Sequence, residues 1–178
     1  MQLAAAAVAA GRVVAYPTEA VWGLGCNPFN RHACAQILKL KRRPERKGVI
    51  LVAANIEQLA FLLEGLPEAA LTQALASWPG PNTWLVPHNQ RIPTWVTGEH
   101  ATVAVRVSAH PLVQALCLAS GGPLVSTSAN PQGLPPARTG FRARVYFGDQ
   151  VVYAPGLVNP TARPSTIRDL ITGATLRA

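Results

Sequence analysis

The sequence is poor in acid: eight Asp and Glu stand against sixteen Lys and Arg in 178 residues, a formal charge of +8. That imbalance favours anionic partners, whether nucleotide, nucleic acid or membrane surface, and does not choose among them. Charge of either sign is sparse, at 13% of residues, which excludes a disordered charged tail. Cysteine is limited to Cys26, Cys34 and Cys117. An odd number without a CxxC pair argues against a disulfide framework and for a reducing compartment, the cytoplasm. Zinc needs about four ligands at short, paired spacings. Cys26, His32 and Cys34 are close in sequence, but no second pair completes such a site. No uninterrupted apolar run reaches the roughly 18 residues of a membrane span, so no membrane partner is expected. The apolar stretch 3–10 lacks the basic residues that precede a signal-peptide core and reads as an Ala-rich helix.

Familiar catalytic signatures are missing too. Gly23 and Gly25 begin a dinucleotide fingerprint, but Pro28 stands where its third glycine belongs. No Gly-Lys-Ser or Gly-Lys-Thr marks a Walker loop, and there is neither a nucleophile elbow nor a Ser–His–acid order. If this protein uses ATP, it does so in another kind of pocket.

What is present is a well-stocked core. Apolar types make up 49% of the chain, enough for one domain over 1–178. Strand patterns at 12–16, 49–52, 84–86, 102–107, 124–128 and 151–153 alternate with helical patterns at 31–40, 55–64, 67–77, 110–119 and 139–147. A final strand pair is predicted at 166–168 and 175–177, and residues 17–28 read as a Gly- and Pro-punctuated loop. Asn55 followed by Gln58 has the form of a reciprocal helix cap. Alternating elements of this kind imply a three-layer α/β fold.

Three groups of residues carry chemical interest. Lys39, Lys41, Arg42, Arg43, Arg46 and Lys47 place six cations in nine residues, with Glu45 the sole acid. A helix C-terminus accounts for Lys39 and Lys41; a bound triphosphate would account for the rest, since Arg grips phosphate with two parallel bonds. Ser126-Thr-Ser-Ala-Asn130 follows an apolar strand, where small polar groups make either a turn or the lip of a ligand crevice. Alternation puts Arg106 opposite Val103, Val105 and Val107. No acid stands within six residues of it, and Glu99 is seven before. A buried guanidinium there needs either a distant Glu or a substrate carboxylate.

In combination these segments resemble the YrdC/TsaC family. The resemblance is carried in order by Tyr16-Pro-Thr-Glu-Ala-Val-Trp-Gly-Leu-Gly25, Lys41-x-Arg43-Pro44, Ala104-Val-Arg-Val107, Ser126-Thr-Ser-Ala-Asn130 and Ser165-Thr-Ile-Arg-Asp169. It covers essentially the whole chain and is closest to the short, single-domain bacterial form. It implies a twisted mixed sheet with helices around a basic concave cavity. The implied activity joins L-threonine, bicarbonate and ATP into threonylcarbamoyl-AMP and pyrophosphate, with Mg2+ carried by the ATP phosphates. The tRNA threonylcarbamoyl-transferase machinery would be the downstream partner. By position, Thr18, Arg106, Ser126 and Ser165 match the family's threonine contacts, and Lys41, Arg43, Ser128, Asn130 and Arg177 its nucleotide contacts. No acid, base or nucleophile is implied, and Glu19, the nearest acid, would orient Lys41 or a loop amide. Val52 stands where longer relatives carry His, Trp22 where Tyr is common on a pocket wall, and Leu176-Arg-Ala178 lacks a usual Pro-Gly.

Two other readings compete. A non-catalytic module binding tRNA or other double-stranded RNA would explain the charge but leaves Thr18, Arg106 and the serines without a purpose. A carbamoyl-transfer domain of hydrogenase maturation shares the fold by family resemblance, but belongs to much longer chains with CxxC pairs.

Overall fold

A computed structural model describes residues 1–177. Nine strands form one mixed sheet: β1 (Val14–Pro17), β2 (Trp22–Gly25), β3 (Ile50–Ala53), β4 (Asn82–Pro87), β5 (Thr102–Val107), β6 (Leu124–Ser128), β7 (Val152–Tyr153), β8 (Thr166–Asp169) and β9 (Thr175–Arg177). Their order is β7-β1-β2-β6-β3-β5-β4-β8-β9. The pairs β1/β7, β3/β5 and β4/β8 are parallel and the remaining neighbours antiparallel. The helices are α1 (Gln2–Ala9), α2 (Arg31–Lys41), α3 (Ala60–Leu63), α4 (Glu68–Ser77), α5 (Thr94–Thr97), α6 (Pro111–Ala119) and α7 (Gly140–Phe147). Among the described residues no helix is long and apolar enough to cross a membrane.

Side-chain alternation sorts each strand onto two faces. Ala15, Leu24, Leu51, Ala53, Val105, Val107 and Val125 join the larger core, packed against Ile37 of α2, Ala74 of α4 and Phe147 of α7. Val14, Tyr16, Val52 and Leu124 point the other way, onto Ala4 and Val8 of α1 and Val113 and Leu116 of α6. Each fully buried Leu or Val on either face contributes about 1.5–3 kcal/mol. The helix pair α1/α6 roofs only part of its face. Beyond it the strands present Gly23, Ala104, Arg106, Ser126, Ser128 and Thr83, and these line a cavity instead of a core.

The sequence reading holds for most elements, and the Asn55 cap forms: Asn55 Oδ1 accepts from Gln58 N at 3.2 Å, while Gln58 Oε1 accepts from Ala54 N at 2.9 Å. Three elements depart from expectation. The helix expected over 55–64 is a 3-10 turn, Glu57–Leu59, running into the four-residue α3, and α5 stands in a segment to which no element is assigned by the sequence pattern. More consequentially, the expected loop 17–28 contains β2, which pairs with β1 from Val14↔Gly25 to Pro17↔Trp22. The glycines that suggested a loop are strand glycines. A Cβ on Gly25 would lie 2.6 Å from the Val125 carbonyl and 2.8 Å from the Tyr16 ring, so the ring of β1 crosses β2 only where no side chain stands.

Trp22 is likewise corrected. One residue before Gly23, it faces the larger core, not the pocket, and stacks under α7 where a Cβ on Gly140 would meet its ring at 2.9 Å. Val52 is fully buried beneath α6 and lines no cavity. Cys26 and Cys34 are buried thiols with sulfurs 3.7 Å apart.

Candidate functional site

The unroofed part of the sheet holds a cavity of about 470 Å³. Seven of the nine residues singled out in the sequence line it: Thr18, Arg43, Arg106, Ser126, Ser128, Ser165 and Arg177. They arrive from six separate stretches of chain, brought together by strand order. Thr18 opens the turn between β1 and β2, and its hydroxyl donates to the Val21 carbonyl at 2.7 Å. Its one proton spent, the oxygen faces a ligand as an acceptor.

Arg106 finds the distant Glu that its burial requires. Glu19, in the β1–β2 turn, places Oε2 3.0 Å from Arg106 Nη1. Glu19 Oε1 accepts from the Ser108 hydroxyl at 2.7 Å, and that hydroxyl accepts from His110 N at 3.1 Å. The acid therefore buttresses Arg106, not Lys41 or a loop amide as the sequence suggested. Burial alone would push the Glu19 carboxyl up, but Arg106 and the Ser108 hydroxyl outweigh it and hold the group below the usual carboxylate range. Among the described residues Glu19 is the one protein side chain that meets the Arg106 guanidinium, through Nη1, and the residue is 8% exposed in the cavity wall. Its remaining donors are available to an anion.

The basic run divides. Helix α2 ends at Arg42, which adopts a left-handed conformation (φ 52°) usually given to glycine. The reversal sends Arg43 into the cavity, where Nε and Nη2 clamp the Gly48 carbonyl at 3.0 and 2.9 Å. Gly48 (φ +55°) is packed so closely on α5 that a Cβ would meet the Thr97 carbonyl at 2.7 Å. Lys47 also lines the cavity. Lys41 and Asn130 do not. Lys41 is 5% exposed, and its ammonium donates to the carbonyls of Ser128 and Asn130 and to Asn130 Oδ1. Ser128 Oγ donates to the same Asn130 Oδ1 at 2.7 Å. The pair thus stands behind the wall that presents Ser128. Burial, with Arg43 close by, lowers the Lys41 ammonium to about 8.

The opposite wall comes from β8 and β9. Ser165 shares a hydrogen bond with Thr83 of β4 at 2.9 Å. Arg177 grips the Ser165 carbonyl through Nε at 3.1 Å and Nη2 at 2.7 Å. Sequence reasoning missed Thr83, Arg163 and His100, which also line the cavity. Thr83 lies on the cavity face of β4 by alternation with Trp84, a signal present in the sequence. Arg163 sits in the segment between β7 and β8, where no periodicity marks it.

The lining carries Arg43, Lys47, Arg106, Arg163 and Arg177 against one carboxylate, Glu19. Among the described residues only two ion pairs form, Arg106–Glu19 and the remote Arg91–Glu64. Four cations of the cavity therefore lack an acidic partner, a field that attracts anions strongly.

Fold and cavity together define an α/β protein with a sheet-bound pocket whose lining carries five cations and one carboxylate. The family model Sua5_yciO_yrdC, described as Telomere recombination, matches residues 6–178, and the chain belongs to that family. It is 57% identical over 177 residues to a threonylcarbamoyl-AMP synthase of Pseudomonas aeruginosa (strain UCBPP-PA14), covering 99% of this chain and 95% of that one. A threonylcarbamoyl-AMP synthase of Saccharophagus degradans is 59% identical over 169 residues, covering 94% and 88%. Among solved structures, P. abyssi Sua5 complexed with L-threonine superposes with a TM-score of 0.86 at 34% identity, covering 94% of this chain. The chain spans half the length of that P. abyssi protein (50%).

Proposed function

We propose that the protein is a threonylcarbamoyl-AMP synthase, an adenylate-forming enzyme that acts on L-threonine, bicarbonate and ATP. The observation that carries the reading is the cavity itself: an acid-paired Arg106 beside Thr18 and Ser126, facing four cations without acidic partners. The synthases of P. aeruginosa and S. degradans support it at 57% and 59% identity.

In this reading Arg106 holds the threonine carboxylate, with Ser126 and Ser165 completing the subsite, and the Thr18 oxygen accepts from a ligand N–H. Arg43, Arg177 and Ser128 hold the nucleotide, and Lys41 with Asn130 fix the Ser128 wall. The threonine amine attacks the carbon of bicarbonate, expelling water, or of its carbon dioxide, releasing a proton to solvent, and either route gives the carbamate. A carbamate oxygen then attacks the α-phosphorus, and pyrophosphate leaves. Such transfer depends on alignment and charge neutralisation and needs no protein nucleophile. Magnesium fits as an ion carried by the triphosphate. The single cavity carboxylate is committed to Arg106, and among the described residues no cluster of His, Cys, Asp or Glu could hold a metal. It would shield phosphate charge while the protein aligns the reacting atoms. Product passes to the tRNA threonylcarbamoyl-transferase machinery in the cytoplasm.

Pyrophosphate release is expected only when threonine, bicarbonate and ATP are all present, with label from bicarbonate appearing in a threonylcarbamoyl-AMP peak by mass spectrometry. Release without threonine, or none with all three, overturns the assignment.

A further inference from the structure

The cationic field of the cavity is not uniform, and the exception is Glu19. Arg43, Lys47, Arg163 and Arg177 meet carbonyls or solvent and no acid. Arg106 alone is paired, with Glu19 Oε2 at 3.0 Å. The pairing leaves most of the guanidinium unspent. Glu19 Oε2 meets it at Nη1 alone, and among the described residues no other protein side chain takes its donors, so the remaining N–H groups are left to a ligand. The carboxylate cannot turn away, because Ser108 donates to its other oxygen at 2.7 Å and is itself fixed by His110 N at the start of α6. Its backbone is fixed as well, with the Glu19 carbonyl accepting from Asn159 N at 3.0 Å.

From this we infer that Glu19 is a specificity-determining residue that partitions the cavity: it keeps polyphosphate out of the Arg106 subsite and reserves that subsite for a singly charged amino-acid carboxylate. The Arg106–Glu19 pair sums to zero charge. A carboxylate still gains directed bonds from the free donors there, whereas a triphosphate meets a fixed negative oxygen at close range. At the unpaired cations the same triphosphate meets no opposing charge. Two anionic substrates in one hollow are thus sorted without a wall between them. The inference rests on the proposed threonine site at Arg106 and adds how that site rejects the other substrate.

The test uses the full chain with labelled L-threonine and inorganic tripolyphosphate, in equilibrium dialysis at constant ionic strength. Threonine bound to the native protein is expected to resist tripolyphosphate. Glu19→Gln, which keeps shape and removes the charge, is expected to let tripolyphosphate displace threonine competitively, with its inhibition constant falling roughly tenfold or more. Glu19→Asp is expected to restore resistance, a rescue that a purely structural role would not give. Ser108→Ala, which keeps the charge but frees the carboxylate, is expected to be intermediate, and carries the test if Glu19→Gln does not give a cooperative melt. Weaker threonine binding in Glu19→Gln without any new displacement overturns the partition, as does equal displacement in the native protein. Failure of the native protein to bind threonine at all would instead overturn the proposed function.

Discussion

Lys41 Nζ lies 3.0 Å from the Asn130 carbonyl, a contact spanning 89 positions of sequence that joins the end of α2 to the turn after β6. Its three protons meet three acceptors, the carbonyls of Ser128 and Asn130 and the Asn130 amide oxygen. An ammonium so committed shapes the wall behind Ser128. Replacing it with Met orphans buried acceptors, at ~1–3 kcal/mol each where water cannot reach them. Lys41→Met is expected to raise the KM for ATP more than that for threonine, because Ser128 lies on the proposed nucleotide side. A steady-state comparison of the two constants checks this.

The same lysine gives the stability a pH signature. Its pKa falls from 10.5 unfolded to about 8 folded. Between those values the unfolded chain binds more protons than the native one, so stability rises with pH across the window. Below about 8 both states carry the proton and the native state bears the full penalty, ~3 kcal/mol. Urea denaturation from pH 7.5 to 10.5 is expected to show this rise in the native protein and not in Lys41→Met. Parallel curves would overturn the low pKa.

Arg106→Ala is expected to weaken threonine binding by ~1.5–3 kcal/mol, the worth of a charge-assisted hydrogen bond, with a smaller effect on ATP. It also strips Glu19 of its partner and leaves a half-buried carboxylate. Because Arg106 holds the Glu19 pKa down in the native state, the native pair contributes stability above the usual carboxylate pKa. That contribution is lost as pH falls through the depressed value. Calorimetric titration with each ligand reads the first effect, and acid denaturation of the variant against the native protein reads the second.

Gly25→Ala is expected to destabilise by at least ~2 kcal/mol, since the new methyl meets backbone at 2.6 Å and the Tyr16 ring at 2.8 Å. In Gly23→Ala the tight contact is with the Thr18 methyl at 3.2 Å, while the Thr127 carbonyl at 3.5 Å and the Tyr16 ring at 3.6 Å are at ordinary distance, so the fold is expected to be retained while Thr18 is displaced and the KM for threonine rises. Thermal melts and threonine kinetics on the two variants distinguish these outcomes.

Much of this was legible beforehand, for identifiable reasons. The strand β5 announced itself through Val103, Val105 and Val107, and with it the isolation of Arg106 on the other face. The β1–β2 hairpin was hidden because Gly23 and Gly25 mimic loop chemistry. What demands glycine there is the Tyr16 ring on the neighbouring strand, a tertiary fact. Glu19 could be found as an acid but not as the partner of Arg106, since 87 positions separate them and only the sheet order closes that gap. Lys41 and Arg43 look equivalent in a basic run. The left-handed Arg42 between them sends one behind the wall and the other into the hollow.

Strand β9 is three residues long, exposed throughout, and paired on one side only, through an irregular register with β8. Edge segments of that kind fray readily. Arg177 rides on it, so a ligand held by that guanidinium, as proposed for the nucleotide, would meet a complete pocket only during the fraction of time that β9 is zipped to its neighbour. Apparent affinity scales with that fraction, and a bound nucleotide would in turn slow amide exchange at the sheet's margin.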